Sequence, residues 1–263
     1  MSKLTPSANV MTLLRLAQVA AREIMTVYAS DFAVASKADL SPVTEADALA
    51  EKVILKGLKD AWPDIPVLAE ESAAAGHVPT LGERFFLVDP LDGTKEFLSR
   101  NGEFTVNIAL IEQGRPVMGV VYAPAIQQMF WGEMAQGAGF APVAIGDSLT
   151  DVVWKNMHVR KPPHDGLTVV ASRSHMDAQT AGYLESCKVK SLRSSGSSLK
   201  FCSVAMGEAD LYPRFGRTME WDTAAGQAVL EAAGGKVSNV DGTPLRYGKV
   251  ERGYDNPAFI AGG

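Results

Sequence analysis

Cysteine is nearly absent. Cys187 and Cys202 are the only two in 263 residues, and they do not form a CxxC pair. Such usage supplies no thiolate metal site and suits a reducing cytoplasm. The four histidines, His77, His158, His164 and His175, show no zinc-ligand spacing of the HExxH kind. No apolar run reaches the length of a membrane span, and the N-terminal region is interrupted by Arg15, Arg22 and Glu23. With no cleavable signal visible either, the expectation is a soluble, cytoplasmic protein without an integral membrane segment. A basic excess is missing too, since 25 Lys and Arg stand against 30 Asp and Glu for a formal net charge of -5. A binder of nucleic-acid polymers would normally show a basic face, so that class is set aside. An anionic small molecule remains open, because a bound cation can reverse the local field. Repeats and low-complexity segments are also lacking.

What is present is enough apolar material for a large core: 46% of residues are hydrophobic and 21% charged. A chain of this length folds as one big domain or two smaller lobes. The most informative stretch is Leu87-Val88-Asp89-Pro90-Leu91-Asp92-Gly93-Thr94-Lys95-Glu96-Phe97. A short apolar run from Arg84 to Val88 reads as a buried strand ending in Asp89, with Pro90 expected to stop it. Gly93 permits a tight turn, and Thr94 to Leu98 can begin a helix. Such a turn aims carboxylates and fresh backbone N–H groups at one point. Carboxylates attract divalent cations and a helix N-terminus attracts an anion such as phosphate, so the segment describes a metal-assisted phosphate site. The plainer reading is a surface turn, for which Asp, Pro and Gly are ordinary residues.

Two further acidic clusters weigh against that plainer reading. Glu70-Glu71 follows the apolar strand candidate Ile65 to Ala69. Trp221-Asp222-Thr223-Ala224-Ala225-Gly226 opens a helical pattern to about Ala233, where Asp222 alone could simply complement the helix dipole. Elsewhere, Asn9 to Tyr28 carries apolar groups at helical spacing. A second helix should run from near Thr44 towards Trp62, with Thr44 and Asp47 in capping-box positions. Thr105 to Leu110, Pro116 to Tyr122 and Gln128 to Gly132 read as a meander of three strands. Beyond Gly146, strands at Leu167 to Ala171 and Lys188 to Leu192 alternate with helices ending near Glu185, Met206 and Ala233. This predicts a smaller α/β lobe. The boundary falls between 145 and 160, dividing the chain into 1–150 and 151–263.

The set Glu70-Glu71-Ser72, Asp89-Pro-Leu-Asp-Gly-Thr94 and Trp221-Asp-Thr-Ala-Ala-Gly226 resembles the inositol monophosphatase superfamily of magnesium-dependent, lithium-sensitive phosphatases. Within it, several segments are similar to the CysQ-type 3'(2'),5'-bisphosphate nucleotidases. They are Ser36-Lys37-Ala38-Asp39, Ser41 to Asp47, Lys95-Glu96-Phe97, Asn101 to Ala109, Gly196 to Cys202 and Leu211 to Gly216. The resemblance implies an α/β (α+β layered) fold, a stacked helix-sheet-helix-sheet-helix sandwich of the sugar-phosphatase type. Most metal ligands would lie in 1–150, and Asp222 with the substrate-binding groups in 151–263.

It also implies two or three Mg²⁺ ions. One would be held by Glu70, Asp89 and the Leu91 carbonyl, and a second by Asp89, Asp92 and Asp222. The catalytic group would be Glu70, Thr94 and Asp47, with Glu70 and Thr94 orienting a water and Asp47 accepting from the Thr94 hydroxyl. The N–H groups of Gly93 and Thr94 would hold phosphate oxygens. Substrate groups would further include His175, Ser197, Lys200, Arg214 and Asp222, with Ser197 and Lys200 expected on one helix face at (i, i+3). Each has a plainer reading: Lys200 and Arg214 as solvated surface charges, His175 as a turn residue, Lys37 as a loop lysine. The implied substrate is a nucleotide bisphosphate, adenosine 3',5'-bisphosphate and its sulfated precursor, in sulfur assimilation. Peripheral attachment to the cytoplasmic face of the inner membrane occurs in such proteins. The rivals are an inositol monophosphatase, a sugar-bisphosphate phosphatase and a non-catalytic nucleotide sensor. A kinase reading is weaker, since Gly196 to Lys200 lacks the GxxxxGK[ST] spacing.

Overall fold

The computed structural model describes residues 4–30, 34–36, 42–171 and 178–263. In chain order the elements are α1 (Ala8–Tyr28), β1 (Val34–Ser36), β2 (Pro42–Thr44), α2 (Glu45–Ala61), β3 (Val67–Ala69), α3 (Glu70–Ala74), β4 (Arg84–Asp92) and α4 (Thr94–Leu98). The meander follows as β5 (Thr105–Glu112), β6 (Arg115–Ala123), β7 (Gln128–Glu133), β8 (Gly137–Pro142) and β9 (Lys155–Asn156). The remainder is β10 (Leu167–Ala171), α5 (Ala178–Glu185), β11 (Val189–Ser194), α6 (Leu199–Ala205), β12 (Leu211–Arg214), α7 (Glu220–Ala232), β13 (Lys236–Asn239) and β14 (Phe259–Gly262).

Among the described residues, β3 to β9 form one seven-stranded sheet in sequential order, antiparallel except for the parallel pair β3 and β4. A second sheet of five strands has the order β11-β10-β12-β14-β13, and β1 pairs with β2 apart from both. Helices α1 and α2 pack on one face of the large sheet and α7 on the other, with α6 between α7 and the small sheet. The result is the expected layered sandwich. β5 shows why: all its residues but Glu112 are buried, with Val106, Ile108 and Leu110 facing one core and Ala109 and Ile111 the other. A strand covered on both sides reads as a continuous apolar run.

Helix α1 starts where Ser7 accepts the amide of Val10 at 3.2 Å, a side-chain cap for an orphan donor. Its buried stripe of Leu13, Leu14, Ala17, Ala20, Ala21 and Ile24 fits one helix face. On the opposite side of the sheet, α7 comes unusually close. A Cβ on Gly119 would stand 2.7 Å from the Ala228 Cβ, and one on Gly132 would stand 2.5 Å from the Val229 Cα. Small residues on both surfaces let the helix lie almost on the strands, and this fixes where its N-terminus, with Asp222, reaches.

Three local expectations change. Pro90 does not end its strand: β4 runs on to Asp92, and its ladder with β5 shifts register between Asp89 and Asp92. A bulge is where proline costs no ladder hydrogen bond. Ser197 is not helical. It holds a left-handed backbone (φ 50°) before α6 begins at Leu199, so it shares no helix face with Lys200. Strands β8, β9, β13 and β14 were not foreseen. They carry short or weakly alternating patterns, and β14 finds its partners only through tertiary pairing with β12 and β13.

Candidate active site

The parallel register of β3 and β4 places Leu68 opposite Leu87 and Ala69 opposite Val88. The residues that follow, Glu70 and Asp89, therefore come side by side. Glu70 is the first residue of the single-turn helix α3, whereas Asp89 stays in β4, only 1% exposed. The Leu91 amide donates to Asp89 Oδ1 at 3.0 Å, which folds the bulge back on its own carboxylate. Gly93 then adopts φ 94°, a backbone that a side chain would strain, and α4 begins at Thr94 with no side-chain cap on its first turn.

Asp92 is heavily hydrogen-bonded. Its Oδ2 accepts from Asn107 Nδ2 at 3.2 Å, from the Ser198 amide at 2.8 Å and from the Ser197 hydroxyl. Ser197 Oγ also pairs with Thr105 Oγ1, which donates to Asn107 Oδ1 at 3.1 Å. Ser198, 1% exposed, donates its hydroxyl to the Asp222 carbonyl at 2.9 Å. The loop before α6 is thus stitched to β4, β5 and α7 at once. Asp222 itself accepts from the Met219 amide at 2.8 Å. The capping role and the site role coincide in one side chain.

These groups line one cleft of about 300 Å³, formed by Glu70, Asp89, Leu91, Asp92, Gly93, Thr94, Ser197, Lys200, Arg214 and Asp222. Lys95, Glu96, Phe201, Tyr212, Thr218 and Thr223 complete it. Burial, then the charges of Glu70, Asp92, Asp222 and Asp47, push the Asp89 carboxyl well above the usual carboxylate range. Burial and the charges of Asp92 and Glu70 do the same to Asp222. Asp47, 2% exposed in the first turn of α2, acts on this wall from outside the lining.

Among the described residues, no three Asp, Glu, His or Cys side chains are drawn tightly enough to enclose an ion. The donor chemistry nevertheless fits a hard divalent cation. The acidic wall offers carboxylate oxygens, no His or Cys among the described residues lines the cleft, and its buried carboxylates repel one another.

The opposite charge comes from α6 and β12. Lys200 is 6% exposed, and its ammonium donates to the Ser197 carbonyl at 2.6 Å and the Ser195 carbonyl at 3.3 Å. It lies 5.5 Å from the centre of the Tyr212 ring. Burial pulls its pKa down to about 8; Asp92 opposes that shift and the neighbouring Arg214 adds to it. Arg214 ends β12 and donates to the Gly216 carbonyl at 3.1 Å and the Arg217 carbonyl at 3.2 Å. Two cations close enough to repel thus both rest on neutral carbonyls, a pairing whose chemistry suits an anion.

Of the expected site residues, His175 lies outside the described residues, as do Lys37, Asp39 and Ser41. Thr105, Asn107, Ser198 and Glu51 were not foreseen. A signal for Asn107 exists, since it is the polar residue in the middle of an otherwise apolar buried strand. Ser198 carried none beyond its neighbours.

Against known proteins, residues 8–261 match the inositol monophosphatase family. The 3'(2'),5'-bisphosphate nucleotidase CysQ of Escherichia coli K12 is 49% identical over 93% of this chain and 96% of its own. Its counterpart in Buchnera aphidicola is 40% identical over 94% and 91%. Among solved structures, CysQ from Bacteroides thetaiotaomicron superimposes with a TM-score of 0.82 at 38% identity, covering 97% of both chains. An inositol monophosphatase from Zymomonas mobilis gives a TM-score of 0.76 at 25% identity over 98% and 94%.

Proposed function

The chain belongs to the inositol monophosphatase family, and we propose that it is the 3'(2'),5'-bisphosphate nucleotidase that converts adenosine 3',5'-bisphosphate to AMP and phosphate. It is a metal-dependent phosphatase of that family, with Mg²⁺ as the ion. The observation that carries the substrate is the division of one cleft. An acidic wall of Glu70, Asp89, Asp92 and Asp222 shares it with the paired cations Lys200 and Arg214. A substrate with two phosphates matches both; a monophosphate leaves the second idle.

Two or three Mg²⁺ ions would be held by Glu70, Asp89 and the Leu91 carbonyl on one side and by Asp89, Asp92 and Asp222 on the other. When bound, Mg²⁺ supplies positive charge to the phosphate dianion and acidifies water. The chain's own residues do the rest. Glu70 and Thr94 orient the attacking water, and Asp47 accepts the Thr94 hydroxyl hydrogen so that the oxygen becomes a better acceptor. The amides of Gly93 and Thr94 hold non-bridging phosphate oxygens, where negative charge grows as the bond breaks. Lys200, Arg214 and Ser197, with His175, receive the second phosphate and the nucleoside. Residues 1–150 would act as the metal-holding lobe, and 151–263 as the lobe that brings Asp222 and the substrate groups.

No helix among the described residues is long and apolar enough to cross a membrane. Both cysteines are free thiols, as suits a reducing cytoplasm, and the role proposed in sulfur assimilation rests on the substrate. The test is phosphate release from adenosine 3',5'-bisphosphate and from inositol 1-phosphate, side by side, with Mg²⁺ and with EDTA. Preference for the bisphosphate, abolished by EDTA, is expected. Preference for the inositol ester would keep the metal wall and discard the nucleotide.

A further inference from the structure

Two carboxylates lie on the buried face of α2, which is otherwise built from Ala46, Ala50, Ile54 and Leu58. Asp47 is one; the other is Glu51, one helical turn on and 5% exposed. A charge placed on an apolar stripe is costly unless it is fully hydrogen-bonded. Glu51 is: one oxygen accepts the Glu71 amide at 2.7 Å, and the other accepts the Ser72 amide at 2.8 Å and the Ser72 hydroxyl at 2.5 Å.

These donors are the opening amides of α3, a five-residue turn whose own N-cap position, Ala69, offers no side-chain acceptor. A helix this short is not stable alone, and its first amides need outside partners. Glu51 supplies them from another helix. Glu70 is the residue caught between two fastened points: Ala69 is paired to Val88 in the sheet, and Glu71 and Ser72 are held by Glu51.

We propose that Glu51 is a positioning residue for Glu70, clamping the turn so that the Glu70 carboxylate meets the cation beside Asp89. The inference rests on the metal-phosphatase reading. Neutralising Glu51 leaves at least one of three donors without its acceptor and lets the turn rotate. Changes of this kind behind a metal ligand typically cost about 10–100-fold in metal affinity.

The test uses two variants, with Mg²⁺ binding followed by titration calorimetry and by thermal shift, beside the Mg²⁺ dependence of phosphate release. Glu51→Gln should keep its circular dichroism and need about 10–100-fold more Mg²⁺ in all three measurements. Saturating Mg²⁺ should then restore most of the turnover. Ser72→Ala removes one donor and no charge, and should shift the Mg²⁺ midpoint by about 2–5-fold. A lowered melting temperature with an unchanged midpoint would make Glu51 purely structural and overturn the proposal. A shift in Glu51→Gln with none in Ser72→Ala would reduce Glu51 to a distant charge, and overturns it equally. If Glu51→Gln does not fold, Ser72→Ala decides alone. Absence of any Mg²⁺ response in the unaltered protein would instead sink the metal reading, which separates that failure from this one.

Discussion

Asp89, within β4, and Asp210, just before β12, are both buried aspartates, 1% and 3% exposed, and their carboxyls shift in opposite directions. Asp210, just before β12, accepts from Arg160 Nε at 2.7 Å, Arg160 NH2 at 2.8 Å and the Thr168 amide at 2.7 Å. The Arg160 hydrogen bonds hold it below the usual carboxylate range despite burial. Asp89 receives the Leu91 amide and is otherwise pressed by Glu70, Asp92, Asp222 and Asp47, all of its own sign. The chain sets a cation beside Asp210, whereas the charged groups acting on Asp89 are all carboxylates. A buried acid raised by like charges in a cleft marks a binding site, while one lowered by a bidentate arginine marks a joint.

Breaking the first member should have the largest effect. Asp89→Asn should cut turnover by at least about 10³-fold, equivalent to roughly 4 kcal/mol of transition-state stabilisation. In EDTA the same variant should melt higher than the unaltered protein, because a buried repulsion has gone. A lower melting temperature would show that Asp89 is a structural carboxylate like Asp210. Breaking the second member should do the reverse. Asp210→Asn should cost about 2 kcal/mol of stability, with Arg160 half in solvent and able to hydrate. Thermal unfolding should then drop by roughly 4–8 °C while kcat holds. A loss of activity without a loss of stability would break the comparison.

The two shifts also set opposite pH dependences. Asp89 and Asp222 have raised folded values, so in EDTA the native state binds more protons than the unfolded chain above about pH 4. Stability should therefore fall as pH rises from there, and Mg²⁺ should flatten that slope. Asp210 has a lowered folded value, so its contribution is present above about pH 4 and is lost as pH falls through the folded value. Denaturant unfolding across pH 3–7, with EDTA and with Mg²⁺, separates the two. A slope above pH 4 that is the same in both media would contradict the reading of the acidic wall.

The same contrast explains what could be read from residues alone. The turn Asp89 to Thr94 was legible because its cues are contiguous, two acids and a glycine that takes φ 94°, whereas the bulge that carries β4 past Pro90 was not. Asp222 was legible as a helix-start acid and, through the resemblance, as an expected site residue; the close seating of α7 on Gly119 and Gly132, which fixes where it reaches, was not. Ser197 was misplaced on a helix because its left-handed backbone goes with bonds to Asp92 and Thr105, two partners distant in sequence. Glu51 went unseen for a different reason. Its position on an apolar stripe was visible, but the amides it holds lie twenty residues on, across a helix-to-strand connection. Strand β14 is four residues long and gains its identity from two neighbours in the sheet.

Lys200 is a third kind of buried charge, hydrogen-bonded to carbonyls and set over the Tyr212 ring, and removing it should cost less than removing Asp89. Lys200→Ala should raise KM for adenosine 3',5'-bisphosphate about 10–30-fold, the worth of one charge-assisted hydrogen bond, and leave hydrolysis of a simple monophosphate unchanged. With its pKa at about 8, Lys200 is protonated below that value, so affinity for the bisphosphate should decline as pH rises past it. The variant should lack that limb. An equal loss on both substrates would place Lys200 in the reaction itself, not in recognition.

Asp92 lies between the extremes, and it sharpens the comparison most finely. It is neutralised neither by an arginine nor left bare, but shared among Asn107, Ser197 and Ser198. All three donors spend themselves on Oδ2, so the other oxygen is the one these bonds leave for a cation. Thr105, fully buried, supports this arrangement by donating its hydroxyl to Asn107 Oδ1, with its oxygen set against Ser197 Oγ. Thr105→Val keeps the shape and deletes the hydroxyl. Ser197 retains Asp92, and Asn107 retains its donor bond, so the loss should be about 1 kcal/mol in stability and about 2–5-fold in kcat/KM. A loss as large as that of Asp89→Asn would mean that the neutral hydroxyl chain, and not the repulsion among carboxylates, sets the geometry of the acidic wall.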